Sequence, residues 1–175
     1  MRTDRQGLSA FYALHLRTRR RQGVPIQPKR FIEAFASLYD AGLGFTLLVR
    51  RDEAFVAAAV FLTFNGVLTY KYGASDERHL DVRPNNLLFM DVIAWGSEHG
   101  MHTLDLGRTS LDNAGLAAFK RGWGADEEVL PYTYTAAHVP STETGRASRT
   151  LGVVLRHGPE GLTRVAGELL YKHVG

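Results

Sequence analysis

The chain has 175 residues, of which 45% are apolar, and a formal net charge of +3. This length is enough for one well-buried core and too short for two ordinary domains. No apolar run approaches the eighteen or so residues of a membrane span, and no apolar signal region follows the N-terminus, so we expect a soluble cytoplasmic protein. The absence of cysteine excludes disulfides, thiolate metal sites and cysteine nucleophiles, and the spacing of the histidines predicts no zinc site.

The N-terminal part is predicted to form two helices. Apolar residues recur at helical spacing from position 8 to position 16, with Ser9 as a possible start and Gly23 as the end. Pro28 is placed as a first-turn proline of a second helix that ends at Gly42. Basic residues cluster here at Arg17, Arg19, Arg20, Arg21, Lys29 and Arg30. The cluster suits a phosphate-rich partner such as tRNA or anionic lipid, or it is a helix end at which arginines complement the dipole.

A mixed α/β domain is predicted for the rest of residues 1–138. Segments 45–50, 54–64 and 67–72 have strand composition, and Asn65-Gly66 predicts a type I′ hairpin between the last two. A helix over 86–100, a strand over 103–106, a helix over 112–122 and a strand over 129–136 follow. Residues 139–158 are predicted to be a polar connector. A C-terminal amphipathic helix is predicted over 159–175, packed on the same domain or on a partner subunit.

One segment joins a strand end to a short helix. Residues 104–110 read LDLGRTS, and residues 118–125 read AFKRGWGA. Asn113 precedes Lys120 by seven residues and Gly124 by eleven. Acetyltransferases of the GNAT superfamily place an asparagine, a catalytic tyrosine and a glycine at these intervals. With lysine in place of the tyrosine, the segment resembles the Fem-type aminoacyltransferases of peptidoglycan cross-bridges and the related FemAB-like proteins of exopolysaccharide gene clusters.

The resemblance implies a GNAT-like fold with a central, mostly antiparallel sheet and flanking helices. It also implies acyl or aminoacyl transfer to an amine of an envelope precursor, with Lys120 stabilising the oxyanion or assisting the leaving hydroxyl. Fem-type proteins contain two GNAT-like domains in tandem, and this chain matches the second. A separate N-terminal GNAT-like domain or a second copy of the chain is therefore the expected partner, and the apolar stripe from position 162 to position 170 favours a homodimer.

The donor remains open between aminoacyl-tRNA and acyl-CoA, and no tightly bound cofactor is expected. GNAT enzymes that use acetyl-CoA bind its pyrophosphate on a glycine-rich loop that leads into the long helix, whereas residues 74–86 contain no glycine. Arg83, Asn85 and Asn86 are candidates for binding an anionic group there instead. An acetyl-CoA-dependent N-acetyltransferase and a non-catalytic GNAT-like interaction module are the alternative functions.

Other candidate site residues surround Lys120. Asp105 is a candidate to accept the amine proton or to orient Lys120. Arg108 suits a phosphate or carboxylate, or a salt bridge to Asp105 or Asp112. For Ser110 and Asn113 we favour a role as helix-cap residues over a role as substrate contacts. Candidates for lining the acceptor cleft, which are otherwise ordinary strand residues, are Tyr70, Lys71, Tyr72, Tyr132 and Tyr134.

Overall fold

Three helices form the N-terminal layer of the fold. The computed structural model describes residues 1–133, 135 and 146–171. Helix α1 spans Arg5–Gln22 and is capped by Asp4, whose carboxylate accepts the amide of Gly7, so the prediction of a start at Ser9 is wrong. It ends at Gly23 in the left-handed conformation, as predicted. The predicted second helix is two helices, α2 (Lys29–Glu33) and α3 (Phe35–Asp40), because the carbonyl of Ala34 accepts an amide three residues ahead instead of four.

The sheet has four strands within the described residues, in the order β1-β2-β3-β4. Strands β1 (Gly44–Arg51), β2 (Ala54–Phe64) and β3 (Val67–Ser75) form the predicted antiparallel meander. Asn65 and Gly66 both have positive φ, 48° and 75°, which confirms the type I′ turn. β4 (Thr103–Asp105) pairs in parallel with β3. The predicted strand over 129–136 is wrong for 129–133 and 135, which lie outside any helix or strand, and its remaining residues lie outside the described part of the chain.

Helices cover both faces of this sheet. On one face, α1 to α3 pack Phe11 and Ile32 against Val60. On the other, helix α4 (Pro84–Glu98) packs Phe89 and Val92 against Phe61. Helix α5 (Ala114–Arg121) lies beside α4, and a 3₁₀ helix (Glu77–Val82) leads from β3 into α4. The mixed α/β class predicted from the sequence is confirmed.

The C-terminal part of the chain forms two helices that pack on α1. Helix α6 (Arg146–His157) replaces most of the predicted connector over 139–158, and helix α7 (Glu160–Leu170) follows it. At Gly23, a Cβ would come within 2.6 Å of the Gly152 carbonyl oxygen, so the end of α1 and α6 approach at backbone distance. Thr163 and Gly167 are the buried residues of α7, which contacts α1 and, at Gly167, the Ile26 backbone in the segment after α1. Among the described helices, none has the length and apolar character needed to cross a membrane.

The arginines at the end of α1 hold these segments together. Arg19 Nε donates to the carbonyl of Pro25 at 3.1 Å, and Arg20 Nε donates to the carbonyl of Gly158 at 2.9 Å. Arg17 lies 3.6 Å from the buried carboxylate of Asp76. These contacts favour the helix-end interpretation of the basic cluster over a free phosphate-binding patch.

We expect Gly167→Ala to destabilise the protein, because a Cβ at this position would overlap the carbonyl oxygen of Ile26. Overpacking of this kind costs about 1–3 kcal/mol. Gly161 on the same helix has no atom within 4 Å of its Cβ position, so Gly161→Ala is a matched control that keeps or raises stability. Urea unfolding measures both variants. Equal stabilities would show that α7 does not pack on Ile26.

Candidate active site

Strand β4 ends well before its neighbour β3, and we call the sheet edge beyond the end of β4 the opening. The two strands pair in parallel from Val67 and Thr103 to Thr69 and Asp105. Beyond this point β4 ends, while β3 continues to Ser75. The carboxyl ends of parallel strands commonly form a ligand crevice at such a point. The residues that follow β4 are therefore placed where a substrate can reach them.

A tight turn after β4 holds Lys120. The Asp105 Oδ1 atom accepts the amide of Gly107 at 2.7 Å, and the Gly107 carbonyl oxygen accepts Lys120 Nζ at 2.6 Å. Gly107 has φ 69°, the left-handed region that glycine adopts without steric cost. Partial burial lowers the pKa of Lys120, and the nearby negative charge of Asp105 opposes this shift. The arrangement presents a half-buried amine at the mouth of the opening.

Helix α5 is positioned by a cap and two aromatic residues. Asn113 Oδ1 accepts the amide of Leu116 at 3.1 Å, which confirms the predicted helix cap. Phe119 and Trp123 pack against Phe89 of α4, with ring centroids 5.4 and 5.7 Å from it. Lys120 lies between Phe119 and Trp123 in the sequence, so the packing of α5 on α4 determines the position of its Cα atom. The carbonyl of Ser110 accepts the amide of Asn113 in the turn that leads into the helix.

Arg108 pairs with Tyr132 in an exposed arrangement. Its guanidinium lies 5.6 Å from the centre of the Tyr132 ring, and Nη1 donates to the Tyr132 hydroxyl at 3.3 Å. The alternative to anion binding, a salt bridge of Arg108 to Asp105 or Asp112, is not present among the described residues. Stacking fixes the planar fork beside the opening, where it remains available to an anion.

The two tyrosines of β3 point to opposite faces of the sheet. Val60 of β2 pairs with Tyr72 and Phe61 pairs with Tyr70, so Lys71 is an extra residue in a β-bulge. Tyr72 therefore packs on the α1 side, and Tyr70 packs on the α4 side. A strand without the bulge would place both on one face. The structure thus separates two side chains that the sequence grouped as cleft residues, while Tyr134 lies outside the described residues.

The side chain of Tyr70 is partly buried and packs against the core on the α4 side. Its ring packs 5.6 Å from Phe61 and 5.1 Å from Phe89, and its hydroxyl occupies the space that a side chain at Gly73 would need. Burial raises the pKa of Tyr70 to about 12. The structure thus shows a packing role for Tyr70, and its lining of the acceptor cleft stays a prediction. The importance of Gly73 was missed by the sequence analysis.

The N-terminus of α4 is a separate group of candidates. Arg83 has φ 47° and precedes Pro84, which supplies no amide hydrogen, and Asn85 and Asn86 form the first turn. Within the described part of the chain, no hydrogen bond or ion pair connects these three predicted residues with Lys120. The preceding segment has three carboxylates, and each is paired with an arginine: Asp76 at the cap of the 3₁₀ helix, and Glu77 and Asp81 within it. The Asp76 carboxylate is paired with Arg78, whose hydrogen bonds are the main cause of its pKa of about 2.

Comparison with known proteins defines the family. The family model for an acetyltransferase (GNAT) domain matches residues 1–121. The chain therefore belongs to the GNAT acetyltransferase family. Its fold is similar to that of an aminoglycoside acetyltransferase from an uncultured soil metagenomic sample in complex with sisomicin, with a TM-score of 0.61, 12% identity, and coverage of 78% of this chain and 93% of that chain. An aminoglycoside 6'-N-acetyltransferase of Acinetobacter baumannii gives a TM-score of 0.59 at 16% identity, with 77% and 95% covered.

The curated relatives are lipid II:glycine glycyltransferases. The protein of Staphylococcus haemolyticus strain JCSC1435 is 33% identical over 97 residues, which cover 50% of this chain and 23% of that protein. The Staphylococcus aureus protein is 31% identical over 93 residues, with 48% and 22% covered. The aligned region thus spans less than a quarter of each relative. These relatives agree with the resemblance to Fem-type aminoacyltransferases inferred from the Gly107 to Gly124 segment.

Proposed function

We propose that this protein transfers an aminoacyl group, with glycyl as the first candidate, to an amine of a lipid-linked peptidoglycan or exopolysaccharide precursor. The observation that carries the proposal is the half-buried Lys120 amine, fixed on the Gly107 carbonyl at the opening between β3 and β4. The similarity to glycyltransferases that act on lipid II supports this choice of substrate class. The reaction would take place in the cytoplasm, where aminoacyl-tRNA is available.

The chemistry follows from the charge of the lysine. The acceptor amine attacks the ester carbonyl of the donor, a C–N bond forms, and the C–O bond to the donor ribose breaks. The proton lost by the amine ends on the departing ribose oxygen. An ammonium at Lys120 stabilises the oxyanion of the tetrahedral intermediate and the departing oxygen, an effect of roughly 3–4 kcal/mol in a preorganised site. Arg108, stacked on Tyr132, would bind a phosphate of the donor or of the acceptor.

Aminoacyl-tRNA is the donor that the α4 N-terminus favours. The absence of glycine from residues 74–86 and the proline at the first helical position both disfavour a pyrophosphate cradle there. Acetyl-CoA is the alternative donor, because a fold neighbour, an aminoglycoside N-acetyltransferase, is in complex with CoA. The two donors make different predictions for binding and for turnover.

We expect transfer of labelled glycine from glycyl-tRNA to a lipid-linked pentapeptide precursor, and no acetylation of the same precursor with acetyl-CoA. In a thermal-shift assay, a ligand at ten times its Kd adds about 1.4 kcal/mol of stability, which is a rise of a few degrees in Tm for a chain of this size. Millimolar acetyl-CoA should give no such rise. A clear CoA-dependent rise with acetyl transfer would favour the alternative donor, and a lack of transfer from every donor would favour a non-catalytic module.

We also propose that two copies of the chain associate through α6 and α7. α7 contacts α1 through the small residues Thr163 and Gly167, so its apolar stripe faces away from the domain. Large apolar side chains of α6 and α7 that are 37–58% exposed are Leu151, Val153, Val154, Leu162, Val165, Leu169 and Leu170. Exposed apolar side chains concentrated on two neighbouring helices favour an interaction site. Under two-fold symmetry, the patch of one copy would be buried against the same patch of the other copy.

Light scattering at micromolar concentration tests this association. We expect a mass near twice the 19.4 kDa of one chain. The double substitution Val165→Glu and Leu169→Glu should reduce it to that of a monomer, because the acidic side chains would be desolvated at the interface. Phe64→Glu, which changes a 77% exposed apolar residue at the end of β2, is the control. A wild-type mass near 19.4 kDa would contradict the dimer.

A further inference from the structure

In the turn between β4 and α5, Gly107 forms hydrogen bonds with both Asp105 and Lys120. Asp105 Oδ1 accepts the Gly107 amide at 2.7 Å, and the carbonyl of the same glycine accepts Lys120 Nζ at 2.6 Å. We propose that Asp105 is a positioning residue: it fixes the turn so that the Gly107 carbonyl holds the Lys120 amine at the opening, and it does not act as the base. This inference rests on the proposed function for its catalytic consequence.

The geometry favours positioning over proton transfer. Asp105 Oδ1 accepts the Gly107 amide, so the carboxylate has a structural partner in the turn, and a role as base would fall to Oδ2 alone. Among the described residues, Lys120 bonds to the Gly107 carbonyl and forms no direct ion pair with Asp105. The carboxylate still acts on the ammonium through space, because its charge raises the pKa of Lys120. Asp105 thus has a geometric effect and an electrostatic effect on the lysine, and substitutions can separate them.

Gly107 is the second residue on which the position of Lys120 depends. Its φ of 69° is sterically unfavourable for residues that have a Cβ atom. The space itself is open, since the nearest atom to an added Cβ is the Tyr70 carbonyl oxygen at 3.7 Å. Gly107→Ala therefore changes the conformational preference of the turn without a clash. It should misplace the carbonyl that holds Lys120 while the fold is kept.

Three variants of the complete chain test the proposal in the glycyl-transfer assay. Asp105→Asn keeps an Oδ1 acceptor for the Gly107 amide, so we expect kcat to fall less than about tenfold. Asp105→Ala removes the acceptor and Gly107→Ala disfavours the turn, and both should lower kcat on the order of a hundredfold through misplacement of the lysine. If Asp105→Asn is as inactive as Asp105→Ala, then the carboxylate itself is required and the positioning proposal is wrong.

Nuclear magnetic resonance of the lysine side chains gives a readout that needs no turnover. The chain has four lysines, Lys29, Lys71, Lys120 and Lys172, so ¹³C labelling at Cε gives few signals, and Lys120→Arg assigns the relevant one. In Asp105→Asn we expect an ordered Lys120 signal whose titration midpoint moves to lower pH, because the charge that raised the pKa is gone. In Asp105→Ala and Gly107→Ala the signal should become mobile. An unchanged Lys120 signal in Asp105→Ala would overturn the positioning proposal. If the signals change as expected but the wild-type protein shows no glycyl transfer, only the proposed function is contradicted.

Discussion

Lys120→Met is expected to abolish glycyl transfer while leaving the fold intact. The substitution keeps the length of the side chain and removes the only charge that reaches the Gly107 carbonyl at the opening, within the described residues. Loss of one preorganised group that stabilises an oxyanion lowers kcat on the order of 10²- to 10³-fold. The cost in stability should be small, because α5 contains no buried residue among its described positions. Single-turnover rates and urea unfolding measure the two effects separately.

Lys29→Met is the matched control for this experiment. Lys29 is an exposed lysine on α2 whose Nζ lies 3.4 Å from Glu33, and it belongs to the opposite layer of the fold from α5. Its substitution should leave kcat unchanged. Near-wild-type turnover of Lys120→Met would exclude the lysine from the chemistry and would leave the β3–β4 opening as a binding site only.

Stability is expected to fall as the pH is lowered from about 7 to about 4, with His15 as the main cause. His15 is 3% exposed, its Nε2 atom hydrogen-bonds Gln27 Oε1 at 2.9 Å, and its ring stacks on Phe11. Burial lowers the pKa of His15 from 6.5 to about 4; the hydrogen bond to Gln27 opposes this shift, and the charge of Arg19 adds to it. The imidazole is therefore held neutral in the folded protein.

The sign of the effect follows from proton binding. Between pH 6.5 and pH 4 the unfolded chain binds a proton at His15 and the folded chain does not, so the free energy of unfolding decreases as the pH falls through this range. The full difference corresponds to roughly 3 kcal/mol. Asp76, with a pKa lowered from 3.8 to about 2, stabilises the fold throughout this range and loses that contribution as the pH falls from 3.8 to about 2. The two groups therefore titrate in separate windows.

His15→Gln tests the assignment, because a glutamine amide can replace the hydrogen bond to Gln27 but does not titrate. Urea unfolding at pH 7, 5.5 and 4 should show a smaller loss of stability for this variant than for the wild type. His157→Gln, at an exposed position of α6, should leave the pH dependence as it is. Parallel curves for the wild type and His15→Gln would assign the acid sensitivity to another group.

Local signals determined much of the site. The Asn65-Gly66 turn, the Asn113 cap and the approximate positions of α4, β4 and α5 depend on the conformations of neighbouring residues, so they can be predicted from sequence alone. Asp105-Leu106-Gly107 also contains a local signal, since aspartate commonly accepts the amide two residues ahead and glycine tolerates the resulting φ. The sequence analysis placed Asp105, Gly107 and Lys120 in one segment. It did not predict the hydrogen bonds that connect them.

Contacts between distant segments decided the rest. The bulge at Lys71 turns Tyr70 into the α4 core, and it arises from pairing with β2, which no short window of sequence reveals. α6 was missed because Gly152, Val153 and Val154 are weak helix formers, and its stability comes from burying Leu155 and from the backbone contact at Gly23. α7 was predicted as a helix, but the face that it buries is the one with Thr163 and Gly167 and not its apolar stripe. Periodicity identifies an apolar face, whereas close packing selects the face that fits its neighbour.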